Sequence, residues 1–139
     1  MKKKKSVIYK RHSIFHNTKL YFPDIRNNYD NELIQSQNVL CRLLHVFDFI
    51  CKKNKIKYWM TAGTLIGAIR HKGIIPWDSD IDIAMITEDY NKLKEVIQNE
   101  LPDDMFFQSP ETDIFTGKAF NSTLKAKIRD RYSNYYQWL

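Results

Sequence analysis

The sequence predicts an α+β fold, a two-layer arrangement in which a small mixed β-sheet is flanked by helices. Three observations lead there. Apolar residues recur at helical spacing after residue 30 and again after residue 87, short runs of strand formers lie between and beyond them, and 139 residues suffice for one modest core.

The elements follow in order. Residues 1–29 show no sustained period and read as a basic N-terminal arm, partly irregular, ahead of a folded domain at 30–139. The whole net charge of +6 resides in the first thirty residues, which hold eight Lys/Arg and two acids. The high pI therefore describes that arm and not the body. Asp30 or Asn31 can cap a first helix, with Leu33, Ile34, Leu40, Leu44, Phe47 and Cys51 as its apolar stripe, running to about Lys53. Cys41 and Cys51 fall on different faces of that helix, too far apart for a disulfide, and read as buried thiols.

Residues 56–62, IKYWMTA, read as a buried strand. Gly63 breaks it. Thr64 is then placed to cap a short helix, LIGAIRH, closed by Gly73 as a left-handed terminal residue. Residues 78–86, DSDIDIAMI, alternate as a strand with Asp78, Asp80 and Asp82 on one face and Ile81, Ile83 and Met85 on the other. Thr87 caps a second long helix to about Glu100, ended by Pro102. Residues 105–108 and 124–132 read as further strands, with a turn at Gly117. Trp77 reads as a packing anchor for the Asp strand.

The Asp row is the chemical signal. Two carboxylates about 5 Å apart repel by roughly 3 kcal/mol at an effective dielectric near 20, and Asp is a poor strand former. A chain that accepts both penalties is arranged to hold a cation there, unless the strand is an edge with its acids in water. Oxygen donors without a Cys or His cluster point to Mg²⁺ or Mn²⁺, with Asp78, Asp80 and Asp82 as the ligands. Upstream, Gly63 and Thr64 open a helix whose free N–H groups suit a phosphate. Arg70 can clamp a phosphate and His71 stands beside it, though both equally complement a helix C-terminus. Lys72 reads as surface. Phosphate on one side and metal on the other suits phosphoryl or nucleotidyl transfer.

The string YWMTAGTLIGAIRHKGIIPWDSDIDIAM, followed by EDYNKL, resembles the LicD/fukutin-related family of the nucleotidyltransferase-fold superfamily. Ser79 stands where that family commonly has Asp. The resemblance implies a nucleotidyltransferase-like fold, here expected to stop short at its C-terminus. It implies a metal-dependent transferase that moves a phosphocholine or ribitol-phosphate type group from a CDP-alcohol to a glycan hydroxyl. The family's two-carboxylate motif maps onto Asp80 and Asp82, with Asp78 as near neighbour, and a third carboxylate from a later strand maps onto Asp130. Asp130 equally suits a pair with Arg129 or Arg131 in solvent, and either Asp82 or Asp130 is placed to take the acceptor proton.

Two alternatives stay open: a truncated, non-catalytic nucleotide- and metal-binding relic, and a nucleotidyltransferase acting on another substrate. The expected partners are a nucleotide-activated small molecule and a glycan acceptor, with nucleic acid not expected. No membrane span or signal peptide is visible, which suggests a cytoplasmic protein, and the basic arm suits peripheral contact with a membrane.

Overall fold

A computed structural model describes residues 22–112 and 126–133. The order is a 3₁₀ turn (Arg26–Asn28), α1 (Glu32–Lys53), β1 (Trp59–Met60), α2 (Ala62–Arg70), β2 (Ile83–Ala84), α3 (Thr87–Glu100), β3 (Met105–Gln108) and β4 (Lys127–Asp130). This is an α+β fold, but among the described residues the strands form two separate antiparallel pairs, β1–β2 and β3–β4, and not one mixed sheet.

The first helix starts where the cap chemistry places it: the Asn31 side chain accepts the Ile34 N–H at 3.0 Å. Its buried stripe is rotated from the expected one. Val39, Val46, Phe47, Ile50 and Cys51 face the core, whereas Leu33 and Ile34 are exposed. Arg42 lies within that stripe, its polar end satisfied by an ion pair to Asp104 at 2.8 Å and a bond donated to the Phe22 carbonyl at 2.8 Å. Cys51 is buried as expected, and desolvation pushes its thiol up to about 12. Cys41 is exposed, contrary to expectation, because its position turns off the stripe.

The α1 stripe meets Leu93 and Ile97 of α3, then Leu101, and Met105 and Phe107 of β3, with Ile56 closing the near end. Ala126 and Ile128 pack against this cluster from the β4 side. Each such isoleucine or leucine contributes about 1.5–3 kcal/mol by leaving water. Strands β3 and β4 pair over four residues, from Met105 opposite Asp130 to Gln108 opposite Lys127. The expected turn at Gly117 lies outside the described residues.

Residues 22–29, the end of the segment read as an arm, sit on the body. Arg26 donates two bonds to the Asp130 carboxylate, at 2.9 and 2.6 Å, and also pairs with Asp24. Phe22 packs edge-on against Phe49 with centroids 5.9 Å apart.

Two expected strands are shorter than their patterns suggested. In the 56–62 run only Trp59 and Met60 pair, with Ala84 and Ile83, and one further bond runs from the Thr61 N–H to the Asp82 carbonyl at 3.1 Å. Asp78, Asp80 and Asp82 therefore lie in the extended approach to β2 and not within a paired strand. Helix α2 begins at Ala62, before Thr64, with Thr61 as the flanking residue and no side-chain cap. Thr87 is likewise the first residue of α3 and not its cap, a position held by Ile86.

Candidate active site

The loop between α2 and β2 is folded back onto α2. Gly67 makes this possible: a Cβ there would sit 2.6 Å from the Gly73 carbonyl and 3.1 Å from the Ile75 nitrogen. The left-handed turn after α2 is taken by Lys72, at φ 54°, and not by Gly73, for which no positive φ is found. From α1, the Gln37 amide donates to the carbonyls of Ile75, Pro76 and Asp78 at 3.1–3.2 Å, so the loop carrying Asp78 is held at both ends.

At the start of α2 the chain makes its closest approach to the Asp row. A Cβ on Gly63 would lie 2.8 Å from Asp78 Oδ2, so the glycine leaves room for that carboxylate beside the first turn of the helix. Thr64 Oγ1 accepts the Asp82 N–H at 2.7 Å. Ala62, just before Gly63, holds φ 46°, a conformation costly for a residue with a Cβ. The site thus joins the end of β1, the N-terminus of α2 and the approach to β2.

The three aspartates act on one another. The Asp80 carboxyl is raised above its ordinary value, first by desolvation, then by the Asp82 and Asp78 charges and a hydrogen bond with Asp78, against a small opposing effect of Lys127. A cavity of about 370 Å³ opens beside them, walled by Met60 and Ile81 and bordered by Thr64, Asp78, Asp80 and Lys72.

Among the described residues no three His, Cys, Asp or Glu converge on one point as a complete metal site. The donor chemistry still fits a hard divalent cation. It offers oxygen ligands only, from carboxylates close enough for the Asp82 and Asp78 charges to act on Asp80. Asp80 and Asp82 are the residues that would hold it, with Asp78 adjacent.

The remaining candidates are distributed as follows. Arg70 is exposed in the last turn of α2 and His71 caps that helix; neither lines the cavity. His71 meets Trp77 edge-on at 6.3 Å between centroids, and Trp77 is largely exposed, so it anchors no core. Asp130 is not brought to the Asp row by any contact among the described residues. It faces inward with Ala126 and Ile128, and its oxygens accept from Arg26, Ser133 Oγ at 2.7 Å and the Tyr132 N–H at 3.0 Å. Burial would raise that carboxyl, but these bonds and the Arg26 charge outweigh it and hold it below 3.8.

Three contributors escaped the sequence reading. Lys72 borders the cavity, Lys127 acts on Asp80 from β4, and Gln37 holds the loop. Gln37, a polar residue close to an apolar stripe, carried a faint signal; the lysines carried none.

A family profile described as LicD/FKTN/FKRP, nucleotidyltransferase domain, matches residues 55–136. The Lipopolysaccharide cholinephosphotransferase LicD of Haemophilus influenzae is 45% identical over 64 residues, 45% of this chain and 24% of the relative. An uncharacterized protein of Rickettsia prowazekii, RP689, is 53% identical over 45 residues, 32% of this chain and 17% of its own. The Ribitol 5-phosphate transferase FKRP of Homo sapiens is 42% identical over 41 residues, 30% of this chain and 8% of its own. The chain thus aligns with about a quarter or less of the length of these relatives. No solved structure matches. The matched segment spans more than half of the chain and contains the glycine turn, the Asp row and β4, and on that ground the chain belongs to the LicD family.

Proposed function

We propose that this chain, with a nucleotidyltransferase-like fold, transfers a phospho-alcohol of the phosphocholine or ribitol-phosphate type from a CDP-activated donor to a glycan hydroxyl. The observation that carries the reading is the Thr64–Asp82 hydrogen bond, which ties the phosphate-suited start of α2 to the carboxylate row at 2.7 Å. Two relatives, a lipopolysaccharide cholinephosphotransferase and a ribitol 5-phosphate transferase, support the group transferred.

In this reading the N–H groups at the start of α2, with Gly63 and Thr64, hold the donor's diphosphate. Arg70 and His71, at the far end of the helix and outside the cavity lining, take no part in this reading. Asp80 and Asp82, beside Asp78, would hold Mg²⁺ or Mn²⁺, which would supply charge neutralisation on the diphosphate. The acceptor oxygen forms a bond to the phosphorus bearing the alcohol, the bond from that phosphorus to the bridging oxygen breaks, and CMP leaves with the electron pair. The acceptor proton passes to Asp82. Asp130, engaged by Arg26, is the lesser candidate for that role and for the third carboxylate.

A second reading, a nucleotide- and metal-binding unit that transfers nothing, is favoured by the lack of a complete three-carboxylate group among the described residues. Calorimetry with CDP-choline, CDP-ribitol and CMP, with and without Mn²⁺, followed by assay of CMP release, tests both. Mn²⁺ should raise the affinity for a CDP-alcohol, and Asp80→Ala with Asp82→Ala should abolish that gain. Unchanged binding in the double variant overturns the metal assignment, and tight binding without CMP release favours the second reading.

A further inference from the structure

We infer that Gln37 of α1 is a positioning residue for the carboxylate row, a role that rests on the transferase reading above. Its side-chain amide donates to the Ile75 carbonyl at 3.2 Å, to that of Pro76 at 3.1 Å and to that of Asp78 at 3.2 Å. These carbonyls belong to one turn, in which the Asp78 N–H donates to the Ile75 carbonyl at 2.8 Å. Among the described residues no backbone N–H reaches the Pro76 or Asp78 carbonyl, so one amide from a helix remote in sequence satisfies the whole turn. Gln37 does not line the cavity, and its effect on the site passes through Asp78.

What the turn delivers is one oriented carboxylate. Asp78 Oδ1 accepts the Ser79 N–H at 3.0 Å, and Oδ2 occupies the space that the missing Cβ of Gly63 leaves. The row is thereby tied to two helices. Thr64 of α2 accepts the Asp82 N–H at one end, and Gln37 of α1 holds the Asp78 carbonyl at the other. A hard cation tolerates little drift in its oxygen ligands, and groups that only orient those ligands change metal affinity by about 10- to 100-fold when removed. Gln37 lies outside the residues that the family profile matches, 55–136, so the contact gives α1 a part in the site that the profile does not assign. The chemistry also selects glutamine over glutamate. Three carbonyls need a donor, and an ionised carboxylate of the same shape has none.

The test compares Gln37→Met and Gln37→Glu with Ile97→Val, all in the full chain at pH 7. Met and Glu keep the length and helix propensity of Gln but offer the turn no donor. Ile97→Val is a core change outside the cavity lining, with a comparable expected fall in melting temperature of about 4 °C. Two quantities are read: amide hydrogen exchange across residues 75–82, and the gain in CDP-choline affinity that Mn²⁺ confers in calorimetry. Both Gln37 variants should speed exchange in that segment by about tenfold, leave α3 unchanged and cut the Mn²⁺-dependent gain by about tenfold or more. Ile97→Val should melt as early and keep the gain. Unaltered exchange, or a gain retained in the Gln37 variants, overturns the inference alone. An equal loss in Ile97→Val also overturns it, by tracing the effect to stability. No Mn²⁺-dependent gain in the parent overturns the transferase reading and this role with it.

Discussion

The hydroxyl of Thr64 accepts the backbone N–H of Asp82 at 2.7 Å, so one side chain of α2 sets where the last aspartate of the row leaves the loop. Replacing Thr64 with Val keeps the shape and removes the acceptor. The loss should be about 1 kcal/mol, a fall in melting temperature of about 4 °C. Metal-dependent nucleotide affinity should drop by a larger factor, and Thr64→Ser should restore both. Melting curves and calorimetry on the three proteins decide it.

Two glycines one turn apart should answer differently to the same substitution. Gly67→Ala drives a Cβ against the backbone at Gly73 and Ile75, which cannot swing aside, so a loss of about 1–3 kcal/mol is expected by chemical denaturation. Gly63→Ala meets only the end of the Asp78 side chain, which can turn away. Its stability should stay within about 0.5 kcal/mol of the parent while nucleotide affinity falls.

The raised Asp80 carboxyl makes a signed prediction. A proton binds more tightly to the folded than to the unfolded state, so Asp80 weakens the fold as pH rises from near 3.8 through its folded value, and the penalty is complete at neutral pH. Asp80→Asn should therefore stabilise at pH 7 and change little at pH 3. Saturating Mn²⁺ should stabilise the parent at pH 7 and leave the Asn variant where it was. Denaturation curves at the two pH values, with and without metal, provide the check.

Asp130 carries the opposite sign. Its folded carboxyl lies below 3.8, so the stability it contributes is present above that value and is lost as pH falls through the folded one. Arg26→Ala leaves the buried carboxylate without its cation and should cost about 3 kcal/mol at pH 7. Asp130→Asn should flatten the acid limb of the stability curve. An unaltered acid limb in both variants would count against the pair as its source.

How much of this was readable beforehand varies with the range of the interaction involved. The bounds of α1 and α3 follow from apolar spacing, the Asn31 cap and Pro102, all local. The core residues Phe47, Cys51, Leu93 and Ile97 followed from the same spacing, although the α1 stripe proved to be turned toward Val39, Val46 and Ile50. The glycine turn and the Asp row were legible as a chemical pair because each makes little sense as packing alone.

The sequence by itself determined the α+β class, the long helices and the membership of Gly63, Thr64, Asp80 and Asp82 in one motif, since these depend on neighbours within a few turns. Tertiary structure alone decided that β1 and β2 pair over only two residues, that Lys72 takes the left-handed turn in place of Gly73, and that Asp130 faces Arg26, distant along the chain. Strand pairing and the fate of a buried charge depend on which remote group arrives opposite, and alternation along a single strand carries no record of that partner.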